Sequence, residues 1–79
     1  MDIFYIHGFG SRYNPDSDKI RGLSQFGTVR GADYDYTATF DTILAHLSRK
    51  AEGADLIVGT SLGGYLAMRL GSHTSRPYI

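Results

Sequence analysis

Gly59-Thr60-Ser61-Leu62-Gly63 reads G-x-S-x-G, between the apolar run Leu56-Ile57-Val58 and a segment of helical character. A serine projected from a sharp strand-to-helix turn sits in a strained backbone conformation with its hydroxyl presented as a nucleophile. Side chains two residues before and after it are expected to collide with the turn, which accounts for Gly59 and Gly63. The helix that follows aims its first amides and positive dipole end at the reacting centre, so the Leu62 amide is a natural donor to an oxyanion. The competing reading is an ordinary glycine-rich turn in which Ser61 merely caps a helix.

A second element points to the same chemistry. His7-Gly8-Phe9-Gly10 follows the apolar run Ile3-Phe4-Tyr5-Ile6, the place where an acyl-transfer site on a parallel sheet receives its other oxyanion donor. The Phe9 amide is then the expected donor, with Gly8 and Gly10 letting the loop come close. One such donor is typically worth ~10²–10³ in rate.

The elements that must position these residues alternate. The run 3–6 suits a strand buried on both faces, and residues 8–16 form a loop rich in turn residues. A helix is expected from Asp16 or Ser17 as N-cap, packing Ile20, Leu23 and Phe26 and stopping at Gly27. Thr28-Val29-Arg30 reads as a weak strand. Phe40, Ile43, Leu44 and Leu47 recur at helical spacing behind a Thr37 or Thr39 cap, with Gly53 ending the helix. Asp55–Gly59 reads as a strand and the residues after Ser61 as a helix to about Leu70. Such alternation predicts an α/β fold with a short parallel three-stranded sheet, in the order second, first, third strand. Pro77-Tyr78-Ile79 resembles the entry to a further strand, so the 79 residues are expected to be the N-terminal segment of a longer fold.

Composition excludes several classes. The chain has 8 Lys plus Arg against 8 Asp plus Glu, a balance unlike that of an electrostatic nucleic-acid or anionic-membrane binder. It has no cysteine, which removes disulfides and a thiol nucleophile and fits a cytoplasmic setting. No run approaches the ~18 apolar residues of a membrane span. Ten of the 79 residues are glycine, near twice the ~7% average, so backbone turns and close approaches are at a premium.

Residues 3–10, IFYIHGFG, and 57–68, IVGTSLGGYLAM, resemble the small bacterial α/β-hydrolase esterases of the YqiA type, whose first strand ends in LHGF and whose elbow reads GSSLGGY. The resemblance covers the chain but only the N-terminal part of that family. It implies a partial α/β-hydrolase fold and a serine esterase acting on a small carboxylic ester, without metal or cofactor. Carried over by position, Ser61 is the nucleophile, Phe9 and Leu62 supply the oxyanion hole, and His7, Gly8, Gly10, Gly59 and Gly63 shape the loop and elbow. The order of that family is nucleophile, acid, histidine, so the triad Asp and His are expected beyond residue 79. Within the chain, His7 belongs to the oxyanion loop, His46 to a surface or boundary position, and His73 lies about three helical turns past Ser61. Asp33 and Asp35 follow the second strand but orient nothing without a histidine. Arg12, Tyr13 and Tyr65 are expected to flank the pocket.

Two other readings compete. Gly8-Phe9-Gly10 after a strand, with Asp33 and Asp35 after the next, suggests dinucleotide binding; however, the third glycine of G-x-G-x-x-G is replaced by Tyr13, and Asn14-Pro15 precludes a helix there. Alternatively the chain is a catalytically incomplete hydrolase half that binds another protein, as a homodimer or with a completing chain, through an exposed sheet edge. Replacing Ser61 by Ala is expected to abolish any esterase signal while the fold survives; unfolding of Ser61→Ala, read by circular dichroism, would make the serine structural.

Overall fold

The computed structural model describes residues 1–79 as three parallel strands and three helices. In chain order these are β1 (Asp2–Ile6), α1 (Asp18–Leu23), β2 (Thr28–Gly31), α2 (Phe40–Lys50), β3 (Leu56–Gly59) and α3 (Leu62–Thr74). The sheet order is β2-β1-β3, so the α/β class, the parallel sheet and the strand order read from the sequence all hold. The central strand pairs Ile3 with Val29 on one side and Phe4 with Ile57 on the other.

Alternation along β1 explains the two cores. Phe4 and Ile6 face α2 and α3, joining Ile43, Leu47, Ile57, Leu66 and Leu70 in the larger cluster. Ile3 and Tyr5 face the other way and pack with Ile20 of α1 and Val58. Both faces of β1 are therefore shut off from water, as its unbroken apolar sequence requires.

Helix boundaries follow local chemistry. Ser17 caps α1 by accepting from the Ile20 amide at 3.3 Å, and Thr39 caps α2 by accepting from the Thr42 amide at 3.3 Å. Gly53, at φ +84°, turns the chain away after α2. Three expectations fail. The first helix ends at Leu23 rather than running to Gly27, and Phe26 is exposed. Gly27 serves packing instead: a Cβ there would strike the Met1 carbonyl, which accepts from the Thr28 amide at 2.8 Å as β1 and β2 begin to pair. Phe40 leaves the core face of its helix and meets Tyr65 edge-on at 5.7 Å. The third helix continues past Leu70 to Thr74, where Ser75 takes the left-handed conformation that ends it.

After Ser75 the backbone returns to the sheet. Ile57 bonds the residues on either side of Tyr78, its amide donating to the Pro77 carbonyl at 3.0 Å and its carbonyl accepting from the Ile79 amide at 2.9 Å. Tyr78 thus forms a parallel bridge with Ile57. The edge of β3 that the sequence reading left open is occupied by residues 77–79.

One polar knot ties the amino ends of the sheet to the end of α2. The Arg30 guanidinium donates to both carboxylate oxygens of Asp2, at 2.9–3.2 Å, and to the Lys50 and Glu52 carbonyls. It also lies 5.5 Å from the Phe4 ring centroid. The Arg30 hydrogen bond holds the Asp2 carboxyl below its ordinary value of 3.8. A folded-state pKa below the unfolded one adds stability that is complete above about pH 4 and is lost as pH falls through the folded value. Asp2→Asn should cost about 0.5–1 kcal/mol at pH 7, and the gap from wild type should close as pH falls below about 4 in urea titrations. A gap independent of pH would show that the carboxylate contributes only shape.

Candidate functional site

The G-x-S-x-G segment forms the turn from β3 into α3, and Ser61 stands at φ 57°, ψ −126°. That region of backbone space is nearly reserved for glycine and stores of order 1–3 kcal/mol. Ser61 makes no side-chain cap bond to α3, although it occupies the N-cap position. The helix-cap reading of this serine therefore falls. Its carbonyl instead accepts from the Gly64 amide at 2.9 Å, so the backbone alone closes the turn. The strain resides in the backbone and Cβ, which alanine retains. Relief of strain would come only with glycine at this position.

The two motif glycines are required by different neighbours. A Cβ on Gly59 would strike the Gly63 carbonyl, part of the elbow itself. On Gly63 it would strike the Ile6 carbonyl and lie 2.6 Å from the His7 carbonyl, so that glycine answers to the end of β1 and not to its own turn. The Thr60 amide donates to the Ile6 carbonyl at 3.4 Å, and the Tyr5 and Thr60 hydroxyls meet at 2.7 Å. The elbow is thereby pinned on the carboxyl end of the central strand.

The same contact brings the second motif to the first. A Cβ on Gly8 would sit 3.2 Å from Ser61 Cβ and 3.8 Å from its Oγ. Gly10 has nothing within 4 Å of such a Cβ; it serves by its positive φ of 74°, not by close approach as the sequence reading had it. Neither the Phe9 nor the Leu62 amide donates to a turn, loop or cap acceptor. The Phe9 side chain is exposed and meets Tyr36 edge-on at 4.7 Å.

His7 is only 2% exposed. Its ring stacks on Tyr34 at 4.2 Å, and the buried Tyr34 hydroxyl donates to the His7 carbonyl at 2.8 Å. Burial raises the Tyr34 phenol above its ordinary value, which keeps it a donor. His7 Nδ1 lies 2.8 Å from the Gly8 carbonyl; a carbonyl only accepts, so Nδ1 carries the proton. Nothing in the spacing of the sequence marks Tyr34 as a partner of His7, because the contact spans 27 residues between the segments that follow neighbouring strands.

A cavity of about 630 Å³ opens beside Ser61, lined by Gly8, Phe9, Arg12, Asn14, Lys19 and Thr60 among others. Of the three residues expected to flank it, Arg12 does. Tyr13 instead lies on the sheet, its ring pressed on Gly31 and desolvated enough to raise its phenol pKa. Tyr65 pairs with Phe40 and accepts from Arg69 at 2.8 Å. His46 is half-buried and bonds the Asp33 carbonyl at 3.1 Å, and exposed His73 lines a separate groove between α2 and α3. No histidine of the chain is hydrogen-bonded to Ser61. Among His, Cys, Asp and Glu side chains, no group of three is arranged to hold a metal ion. No helix is long and apolar enough to cross a membrane.

A profile described as Uncharacterised protein family (UPF0227) matches residues 2–77, so the chain belongs to that family. No curated protein and no solved structure matches the chain.

The glycine contacts are directly testable. Gly63→Ala should destabilise the chain by at least about 2 kcal/mol, because backbone on both sides must move. Gly64→Ala, whose Cβ would lie 3.4 Å from the Gly59 carbonyl, should stay within about 1 kcal/mol of wild type, helped by alanine's helix propensity. Equal effects in thermal or urea unfolding would show that the elbow does not rest on β1.

Proposed function

We propose that this UPF0227 member is a serine hydrolase of the α/β-hydrolase type, acting in the cytoplasm on a small carboxylic ester. The observation that carries the reading is the Ser61 backbone, held at φ 57° with no cap bond and with the Gly8 loop against its side chain. A serine kept in so costly a conformation, its hydroxyl free, is placed for attack rather than for capping.

In the proposed reaction Ser61 Oγ attacks the ester carbonyl carbon and gives its proton to a histidine base. That histidine, with its carboxylate, comes from sequence beyond residue 79. The carbonyl electrons move onto oxygen, where the Phe9 and Leu62 amides and the amino end of α3 stabilise the oxyanion. Collapse of the tetrahedral species breaks the ester C–O bond and releases the alcohol, protonated by the imidazolium. Water then repeats the sequence on the acyl-enzyme and frees the acid and Ser61. Gly8 leaves room beside Ser61 for the substrate carbonyl, Gly59 clears the Gly63 carbonyl within the elbow, Gly63 seats the elbow on β1, and Gly10 turns the loop back. The roles require neither metal nor cofactor.

The alternative, a hydrolase half retained for protein binding, is favoured by one observation: no histidine of the chain bonds Ser61. Fluorophosphonate labelling of native source extract, with Ser61→Ala as control, separates the two. A Ser61-dependent adduct on a polypeptide larger than 8.7 kDa is the expected result. An adduct on the 79-residue species would place the base in a partner, and no adduct at any mass would overturn the hydrolase reading.

A further inference from the structure

The Phe9 amide belongs to the same peptide unit as the Gly8 carbonyl, and a trans peptide points its C=O and N–H in opposite directions. Whatever holds the Gly8 carbonyl therefore aims the Phe9 N–H. Two donors hold it: His7 Nδ1 at 2.8 Å and the Ser11 amide at 3.3 Å. The direction of the proposed oxyanion donor is thus set by the orientation of the His7 ring.

The other ring nitrogen is the only buried side-chain polar atom of the chain without a hydrogen bond. It faces Asp33 Oδ1 at 3.9 Å. A carboxylate only accepts, so the contact forms when Nε2 carries a proton as well as Nδ1, and at this distance it is an ion pair and not a hydrogen bond. The same Asp33 oxygen accepts from the Tyr13 amide at 2.6 Å. His7 and Tyr13 bracket the segment that contains Gly8, Phe9 and Gly10, so a single carboxylate oxygen addresses both ends of the loop. Asp33 itself is exposed, and no Lys or Arg side chain pairs with it. The stack on Tyr34 restrains the ring plane, and the Asp33 contact opposes the 180° flip that would turn Nδ1 away from the Gly8 carbonyl.

We infer that Asp33 is a positioning residue: through the His7 ring and the Gly8 carbonyl it aims the Phe9 N–H at the Ser61 site, and through the Tyr13 amide it closes the loop. The inference rests on the esterase reading for its catalytic consequence but not for the clamp itself.

The test has two parts. In the 79-residue chain, ¹⁵N relaxation should give order parameters near ~0.85 for the Phe9 and Ser11 amides, falling below ~0.6 in Asp33→Ala. Asp33→Asn, which keeps an acceptor oxygen but not the charge, should lie between, and Asp35→Asn, whose carboxylate serves Thr37, should change nothing at the loop. Unaltered Phe9 order in Asp33→Ala overturns the inference; if that variant does not fold, unaltered order in Asp33→Asn does so. In the native Ser61 enzyme, Asp33→Ala should lower kcat for 4-nitrophenyl acetate about tenfold with KM within about twofold, short of the ~10²–10³ for outright loss of a donor. A rise in KM alone would overturn the aiming role. Loss of loop order with no Ser61 reactivity in any variant, wild type included, would uphold the clamp and refute the esterase reading.

Discussion

The contact of backbone on backbone between the carboxyl end of β1 and the β3–α3 elbow governs the rest of the molecule. Gly63 packs so closely on the Ile6 and His7 carbonyls that no side chain fits between them. Such a contact requires β1 and β3 to be neighbours, as their pairing from Ile3–Leu56 to Ile6–Gly59 makes them. It also brings the loop after β1 alongside Ser61, since Gly8 follows the contact directly. A parallel sheet delivers this juxtaposition because both strands end at the same edge, and both turns must open there.

The opposite neighbour of β1 supplies restraint where β3 supplies proximity. From the segment after β2, Tyr34 stacks on His7 and bonds its carbonyl, while Asp33 reaches the ring and the Tyr13 amide. The loop after β1 therefore lies between two strand ends, one presenting the serine and the other holding the histidine. At the opposite end of the sheet, Asp2 and Arg30 join β1 to β2 and to the end of α2. That knot is part-exposed and solvent-screened, so it adjusts stability rather than creating the fold.

The cores divide unequally about this sheet. Eleven buried residues lie on the α2–α3 side and four on the α1 side, so the side with the single short helix is the thinner layer. The cavity beside Ser61 opens on that thinner side, against the loop 8–16 and the start of α1. Polar loop residues form most of its wall, with the buried Tyr5 and His7 at its base, consistent with a fold that keeps its rigid elements beneath the site and its variable ones around it.

Much of this was legible in the residues. Continuous apolar runs at 3–6 and 56–58 mark buried parallel strands, since strands covered on both faces need no polar alternation. The spacing of Ile43 and Leu47, the caps Ser17 and Thr39, and the glycines about Ser61 are local signals with local causes. They gave the fold class, the strand order and the position of the elbow. Helix ends and the role of Gly10 were misread locally, but the larger errors came where a residue's neighbour is distant in sequence. Gly27 resembled a helix stop, yet it answers to Met1; Gly63 resembled part of a turn, yet it answers to Ile6 and His7. Tyr13 resembled a pocket residue and became a lid over Gly31. Asp33 appeared as a carboxylate without a histidine, and only the pairing of β2 with β1 sets it beside one. By itself the sequence determined which segments become strands and helices and which serine is strained, because those depend on residues a few positions apart. Tertiary structure alone decided what each loop residue touches, because side chains on neighbouring parallel strands meet across tens of residues that carry no record of the meeting.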